Sequence, residues 1–253
     1  SRLEEAKGLF QGIVLVRPDK PAGHLGMARV ATAQVRHEDA LGHCDKAIEL
    51  FPLEIEAYSL KGSALLALSR MEEAQSLFER LAVDFPYRIN GYAGLHQLFR
   101  RLEKHHPALD AITRAYAINT RNIFVITQYV TLLELMGKAD AAYALLEHHV
   151  NALSHDACIV PLVNLYSKYG ESSKILALLD AKDEFFSKNA GLQVKVGLAL
   201  RNKGNLLASY TVFKNYLDTD SSLSLFALKN KFRVYEQLLL LQAIVRNHKL
   251  FKQ

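Results

Sequence analysis

Small and hydrophobic residues recur along this chain at intervals of three and four, in short runs that polar turns separate. The clearest column is an alanine at every 34th position, namely Ala6, Ala40, Ala74, Ala108 and Ala142. Spacing of three and four places side chains on one face of an α-helix. Because two such runs fall within each interval, the pattern predicts a repeated pair of helices joined by a turn.

Further columns share the 34-residue register. A bulky or apolar residue follows each alanine by four positions, at Phe10, Cys44, Phe78, Ile112 and Leu146. The small alanine is expected where the two helices of a pair, A and B, cross closely. The second unit carries Tyr58, Gly62, Leu65, Ala74, Phe78 and Pro86 in the order of the tetratricopeptide-repeat signature.

On these residues the chain resembles the tetratricopeptide-repeat family over roughly positions 1–220. The resemblance implies an all-α fold, a right-handed superhelical solenoid of antiparallel helix pairs. The register predicts an orphan B helix at 3–17 and six hairpin units at about 22–53, 56–87, 90–121, 124–155, 157–188 and 191–220. Because Ser1 falls at the turn within a hairpin, we expect the chain to be a fragment of a longer array.

Glycines and one proline refine this prediction. A glycine or a short polar turn is expected between A and B, as at Gly137, Gly170 and Gly204. The fifth unit departs from the register, since Gly170 follows Gly137 after 33 residues. Pro161 falls in the second turn of the fifth A helix, so we expect that helix to start late or to bend.

The segment 221–253 has a different pattern, rich in leucine and in basic residues. It contains the run 238–241 of four leucines, and six Lys or Arg stand there against Glu236 alone. We predict a helix that caps the last groove or contacts a homodimer mate. Its net charge of +5 equals that of the whole chain, so the repeats themselves are neutral and nucleic acid is a disfavoured partner. No stretch is long and apolar enough to span a membrane.

No constellation of nucleophile, base or metal ligands stands out, so the sequence predicts no catalytic, cofactor-binding or metal site. The histidines of the pairs His105–His106 and His148–His149 are adjacent in sequence. Because neighbours on a helix point about 100° apart, we do not expect either pair to bind one metal ion. Cys44 occupies the Phe78 column and is interpreted as a packing residue. Cys44 and Cys158 are the only two cysteines of the sequence, and neither belongs to a CxxC motif. We therefore expect no disulfide, and we expect the chain to be soluble and cytoplasmic.

The family resemblance also implies that A-helix side chains line a concave groove that takes up a segment of a partner. Mapping the groove positions onto this chain gives polar residues, of which six are basic and two are acidic, and the set includes Glu56, Ser59 and Asn90. The predicted partner contacts among the mapped residues are Arg29, Gln97, Arg100, Arg101, Gln128, Asn164, Lys168, Lys195 and Arg201. The carboxylate clamp of some members is not matched, because Leu25 and Arg29 stand at its first lysine and asparagine positions. Such a groove suits a polar or acidic protein segment, held by charge-assisted hydrogen bonds.

Two functions are therefore predicted. The first is a non-catalytic protein–protein interaction scaffold that uses this groove. The alternative is the repeat region of a larger enzyme, such as a bacterial glycosyltransferase or capsule polymerase, that positions a substrate polymer or mediates oligomerisation. RNA binding would need a continuous basic stripe, which neutral repeats do not supply.

Overall fold

The computed structural model describes residues 2–219, 234 and 236–244. The chain divides into two compact units, Ser1–Ala142 and Tyr143–Gln253, called here the N-terminal and C-terminal units. All regular elements among the described residues are helices. In the N-terminal unit they are α1 Arg2–Val16, α2 Pro21–Ala33, α3 His37–Leu50, α4 Ile55–Ala67, α5 Met71–Asp84, α6 Ile89–Arg101, α7 His105–Ile118 and α8 Ile123–Leu135.

Helix α9, Ala139–Glu147, begins in the N-terminal unit and ends in the C-terminal unit. The C-terminal unit continues with a π-helical turn His148–Ala152 and a 3-10 turn Asp156–Cys158. Its further helices are α10 Ile159–Lys168, α11 Ser172–Ala181, α12 Asp183–Ser187, α13 Ala190–Asn202 and α14 Leu206–Thr219.

The N-terminal unit is a regular array of helix pairs. Its A helices α2, α4, α6 and α8 each have 13 residues, and its B helices α3, α5 and α7 each have 14. Each helix packs on the next along the chain, and the A helix α4 also touches the A helices α2 and α6 on either side. The predicted all-α solenoid of antiparallel helix pairs is confirmed.

The A-to-B turn has one backbone conformation throughout the array. Val35, Ser69 and Glu103 have φ of 60°, 59° and 56°, and the glycines predicted at this turn, Gly137, Gly170 and Gly204, have φ of 71°, 74° and 78°. At each turn the two N–H groups after the helix bond carbonyls of its last turn, as when Arg70 N donates to Leu65 O over 2.9 Å. This αL hydrogen-bond pattern is a Schellman motif. Glycine suits it best, and Val35 is a β-branched exception.

Side-chain sizes on neighbouring helices are complementary in the core, so that a large residue on one helix lies against glycine on another. A β-carbon on Gly62 would lie 2.2 Å from Cζ of Phe78, and one on Gly94 would lie 2.2 Å from Cδ1 of the same ring. In the next repeat His96 stands in the place of Gly62, and the smaller Ile112 stands in the place of Phe78. The Phe78 ring is therefore accommodated only because both flanking A helices carry glycine there.

Four of the five alanines in the column behave as expected, whereas Ala6, on the orphan helix α1, is half-buried. Ala40, Ala74, Ala108 and Ala142 are fully buried, as a close crossing of A and B requires. Cys44 is equally buried, and burial raises the pKa of its thiol to about 12. Its interpretation as a packing residue is confirmed.

The fifth A helix starts late, as predicted. Helix α10 begins at Ile159 and has 10 residues, so Pro161 lies in its first turn. Backbone N–H groups of a first turn have no intrahelical acceptor, so the proline removes no hydrogen bond there.

Most of the predicted terminal helix at 221–253 lies outside the described residues. Residues 236–244 are helical. Leu241 and Val234 are buried together with Phe213 and Tyr216 of α14, whereas Leu239 remains largely exposed. Whether this segment caps the array or contacts a dimer mate stays a prediction. Among the residues that the structure describes, no helix combines the length and apolarity that crossing a membrane requires.

Candidate functional site

Polar side chains of neighbouring A helices are bonded to one another within the N-terminal unit. The Arg29 guanidinium on α2 forms an ion pair with Glu56 on α4. One helix further on, Asn90 Nδ2 on α6 donates to Ser59 Oγ on α4 over 2.9 Å. These residues lie at mapped groove positions, so the predicted face carries a band of mutually bonded polar groups.

The third link of this band borders a cavity between α6 and α8. Arg100 Nη1 donates to Gln128 Oε1 over 2.9 Å. The cavity measures about 320 Å³ and is lined by Gln97, Arg100, Arg101, Phe124 and Gln128. Four of these five residues were predicted for the groove, and Phe124 adds an apolar wall. We call this set the Arg100 cavity.

The two arginines of the Arg100 cavity are held differently. Arg101 Nη1 donates to the backbone carbonyl of Leu66 over 2.7 Å, which ties α6 to the last turn of α4. Nε of Arg100 is buried and has no acceptor among the described residues. No carboxylate lines the cavity. It therefore offers positively charged donors that no acidic side chain of its own lining neutralises.

A buried histidine, His96, joins α6 to α7, and it was not among the predicted site residues. The carbonyl of Ala108 can only accept, so Nδ1 of His96 donates to it across the α6–α7 contact, over 3.1 Å. Burial lowers the pKa of His96, and the nearby Arg100 charge lowers it further. The imidazole is thus neutral at physiological pH. A histidine in a column of small residues was the signal that could have revealed it.

The remaining predicted residues have separate settings in the C-terminal unit. Asn164 and Lys168 are exposed on α10, where the Lys168 ammonium lies 5.5 Å from the ring centroid of Tyr169. Lys195 is half-buried on α13. Arg201 donates to Gln237 in the terminal helical stretch. The predicted residues of α6 and α8 therefore lie together around the Arg100 cavity, whereas the four predicted residues of the C-terminal unit do not line that cavity.

One group of side chains among the described residues has ligand atoms close enough to hold a metal ion. It consists of His149, His155 and Cys158, whose candidate ligand atoms all lie within 4.8 Å of one another. Neither the adjacent histidine pairs nor the lack of CxxC spacing in the sequence points to this set, and it was not predicted. It lies in the C-terminal unit, apart from the Arg100 cavity in sequence.

No protein-family model matches this sequence, and no curated protein matches it. Solved structures do resemble it. A tetratricopeptide-repeat protein from Parabacteroides merdae is 16% identical with a TM-score of 0.53, covering 95% of this chain and 92% of its own. Yeast Tom70 is 12% identical with a TM-score of 0.57, covering 95% of this chain and 43% of its own.

A chain of the Cut9–Hcn1 hetero-tetramer of the APC/C is 15% identical with a TM-score of 0.54, covering 92% of this chain and 46% of its own. All three identities are too low to carry a function across, and the similarity is one of fold. The chain has the fold of tetratricopeptide-repeat proteins, as the repeated alanine and the signature of the second unit predicted.

Proposed function

We propose that this chain is a non-catalytic protein–protein interaction scaffold that binds an acidic or polar segment of a partner at the Arg100 cavity. The observation that supports this most is the composition of the cavity wall. Two arginines and two glutamines meet there without a carboxylate. A carboxylate from a partner is the group that such a wall accommodates best.

The arginine geometry favours a charged acceptor. An Arg guanidinium presents five N–H donors in a planar fork, and Gln128 occupies Nη1 of Arg100. A bound carboxylate would accept from N–H groups of the two guanidinium ends that line the cavity, and a hydrogen bond to a charged group contributes about 1.5–3 kcal/mol. Phe124 would pack against the methylene groups of a Glu or Asp side chain.

The other bonded polar pairs of the A helices extend the proposed contact. Backbone groups of an extended segment would find donors and acceptors at Asn90 and Ser59. Arg29 would first have to exchange its partner Glu56. Asn164, Lys168, Lys195 and Arg201 stay proposed contacts in the C-terminal unit.

Other predictions also remain proposals. The hetero-tetramer is a property of Cut9 and Hcn1 alone. A protein partner for the present chain is proposed from the lining of its own Arg100 cavity. Homodimerisation through the terminal helix and a cytoplasmic location are proposed from the sequence. The alternative function, a repeat region within a larger enzyme, is also proposed from the sequence.

A selection from a library of random peptides tests the proposed function. The chain is immobilised as wild type, as Arg100→Gln and as Arg114→Gln. Arg114 is the matched control because it is an exposed arginine on α7, paired with Asp110 of the same helix at 3.2 Å. We expect Asp and Glu to be enriched on wild type and on Arg114→Gln, and the enrichment to disappear on Arg100→Gln. Equal enrichment on all three, or none on wild type, would contradict the proposal.

A further inference from the structure

The chain takes an irregular path between α9 and α10. The B helices α3, α5 and α7 of the N-terminal unit are each 14 residues long, whereas α9 has only 9 residues and ends at Glu147. The next five residues form a π-helical turn. Ser154 follows with φ of 48°, and a 3-10 turn leads into α10. Turns of π-helix are rare and frequently occur at functional sites.

This path gathers three side chains of metal-binding chemistry. Cys158 Sγ lies 3.5 Å from His155 Nδ1. The rings of His149 and His155 have centroids 5.6 Å apart and planes 61° from parallel. The backbone fixes the arrangement, since His155 N donates to His149 O over 2.8 Å and Cys158 N donates to His155 O over 2.9 Å.

The setting of the cluster is an interior one. His149 and Cys158 are each 0% exposed, and His155 is half-buried. The exposed part of His155 marks the side from which an ion would enter.

We propose that His149, His155 and Cys158 bind one Zn²⁺ ion. Zn²⁺ takes histidine nitrogen at about 2.0–2.1 Å and cysteine sulfur at about 2.3 Å, so tetrahedral bonding sets sulfur and nitrogen about 3.6 Å apart. The distance between Cys158 Sγ and His155 Nδ1 is 3.5 Å. All candidate ligand atoms lie within 4.8 Å of one another.

The ligand types select the metal. Mg²⁺ and Ca²⁺ prefer oxygen ligands, whereas imidazole with thiolate suits Zn²⁺. Three protein ligands leave the fourth tetrahedral position to water. The ion would join the π-helical turn to the start of α10 and so hold the irregular connection in place. This site is independent of the Arg100 cavity, and either proposal can fail without the other.

Titration of the complete, reduced chain with Co²⁺, after removal of metal with a chelator, tests the site. Co²⁺ adopts the zinc geometry and reports a cysteine ligand through a sulfur-to-cobalt charge-transfer band in the near ultraviolet. We expect one equivalent to produce this band, and one equivalent of Zn²⁺ to abolish it. Cys158→Ser should remove the band, and the matched variant Cys44→Ala, at the other buried cysteine, should retain it.

His155→Gln provides a second variant at the least buried ligand, where folding is least at risk. Mutating groups that merely support a metal ligand costs about 10- to 100-fold in affinity, so losing this ligand should weaken Zn²⁺ binding by at least about 100-fold. His148→Gln, next to His149 but outside the cluster, should leave the affinity unchanged. The proposal is overturned if wild type gives no band, if the band survives in Cys158→Ser, or if His148→Gln and His155→Gln bind alike. Binding of Cu⁺ without Zn²⁺ or Co²⁺ would also overturn it.

Discussion

The Phe78 ring occupies the space that a β-carbon on Gly62 would need, since such an atom would lie 2.2 Å from Cζ of Phe78. The two residues belong to the A and B helices of one repeat. A glycine on the following A helix, Gly94, faces the same ring. The tetratricopeptide signature therefore has a direct packing cause here, because the ring can be buried only between two positions that lack side chains.

Gly62→Ala should destabilise the chain by about 1–3 kcal/mol, the usual cost of overpacking a filled core. Phe78→Leu in the same chain should recover part of this loss, because the smaller side chain vacates the clashing space. Gly42→Ala is the matched control: Gly42 is exposed on α3 and a β-carbon there meets nothing within 4 Å. Alanine in place of this helical glycine should stabilise by about 0.5–1 kcal/mol. Urea denaturation checks all three, and equal effects of the two glycine substitutions would refute the packing argument.

Val35→Gly should raise the melting temperature. Val35 has φ of 60° and is 73% exposed, so its side chain contributes little packing to offset an αL conformation that costs an L-residue roughly 1–2 kcal/mol. The reverse substitution, Gly137→Val at the equivalent turn, should lower the melting temperature by a similar amount. Calorimetry of both variants checks this, and a lower melting temperature for Val35→Gly would contradict it.

Stability should fall as the pH drops below about 6.5, the ordinary histidine pKa. Burial lowers the pKa of His24, His43 and His96 in the folded chain. Between the lowered pKa and 6.5 the unfolded chain binds more protons than the folded chain, so acid favours unfolding. The stabilising contribution is complete above pH 6.5 and is lost as the pH falls toward the folded pKa values.

His96→Asn isolates one of these histidines. The asparagine amide can still donate to the Ala108 carbonyl but does not titrate, so the slope of stability against pH should become shallower by up to about 1.4 kcal/mol per pH unit. Denaturation curves between pH 5 and pH 7.5 measure it. An unchanged slope would show that His96 does not contribute to the pH dependence.

Arg101→Gln should lower stability, because Arg101 holds the Leu66 carbonyl over 2.7 Å and so joins α6 to α4. The loss of one such charged hydrogen bond is expected to cost about 1.5–3 kcal/mol. Thermal denaturation of Arg101→Gln against Arg114→Gln checks this. If the two variants melt together, the Arg101 contact has no structural role.

Sequence periodicity predicted the helix pairs because each column of the repeat has a packing cause. The buried Ala74 and the Gly62–Phe78 contact are examples. The resemblance to tetratricopeptide-repeat proteins, mapped onto the same register, predicted that Gln97, Arg100, Arg101 and Gln128 line one groove. Periodicity could not predict that Val35 takes up a glycine conformation, because the register of the array outweighs the preference of a single residue.

Other features depend on contacts that no local pattern encodes. The bond of Arg101 to the Leu66 carbonyl spans 35 residues and depends on how α4 and α6 pack. His155 and Cys158 approach His149 only because a π-helical turn redirects the chain. A π-helical turn has no reliable sequence signal, so the cluster was found only in the structure.

A titration of an acidic peptide, taken from the selection on wild type, against wild type, Arg100→Gln and Arg114→Gln measures directly whether the Arg100 cavity binds acidic groups. Loss of a charged hydrogen bond of about 1.5–3 kcal/mol predicts that Arg100→Gln weakens binding by roughly 10- to 150-fold. Arg114→Gln should bind as wild type does, and replacing the acidic residues of the peptide by amides should reproduce the Arg100→Gln loss. Equal affinities for all three proteins, or an amide peptide that binds as tightly as the acidic one, would contradict an acid-binding role for the Arg100 cavity.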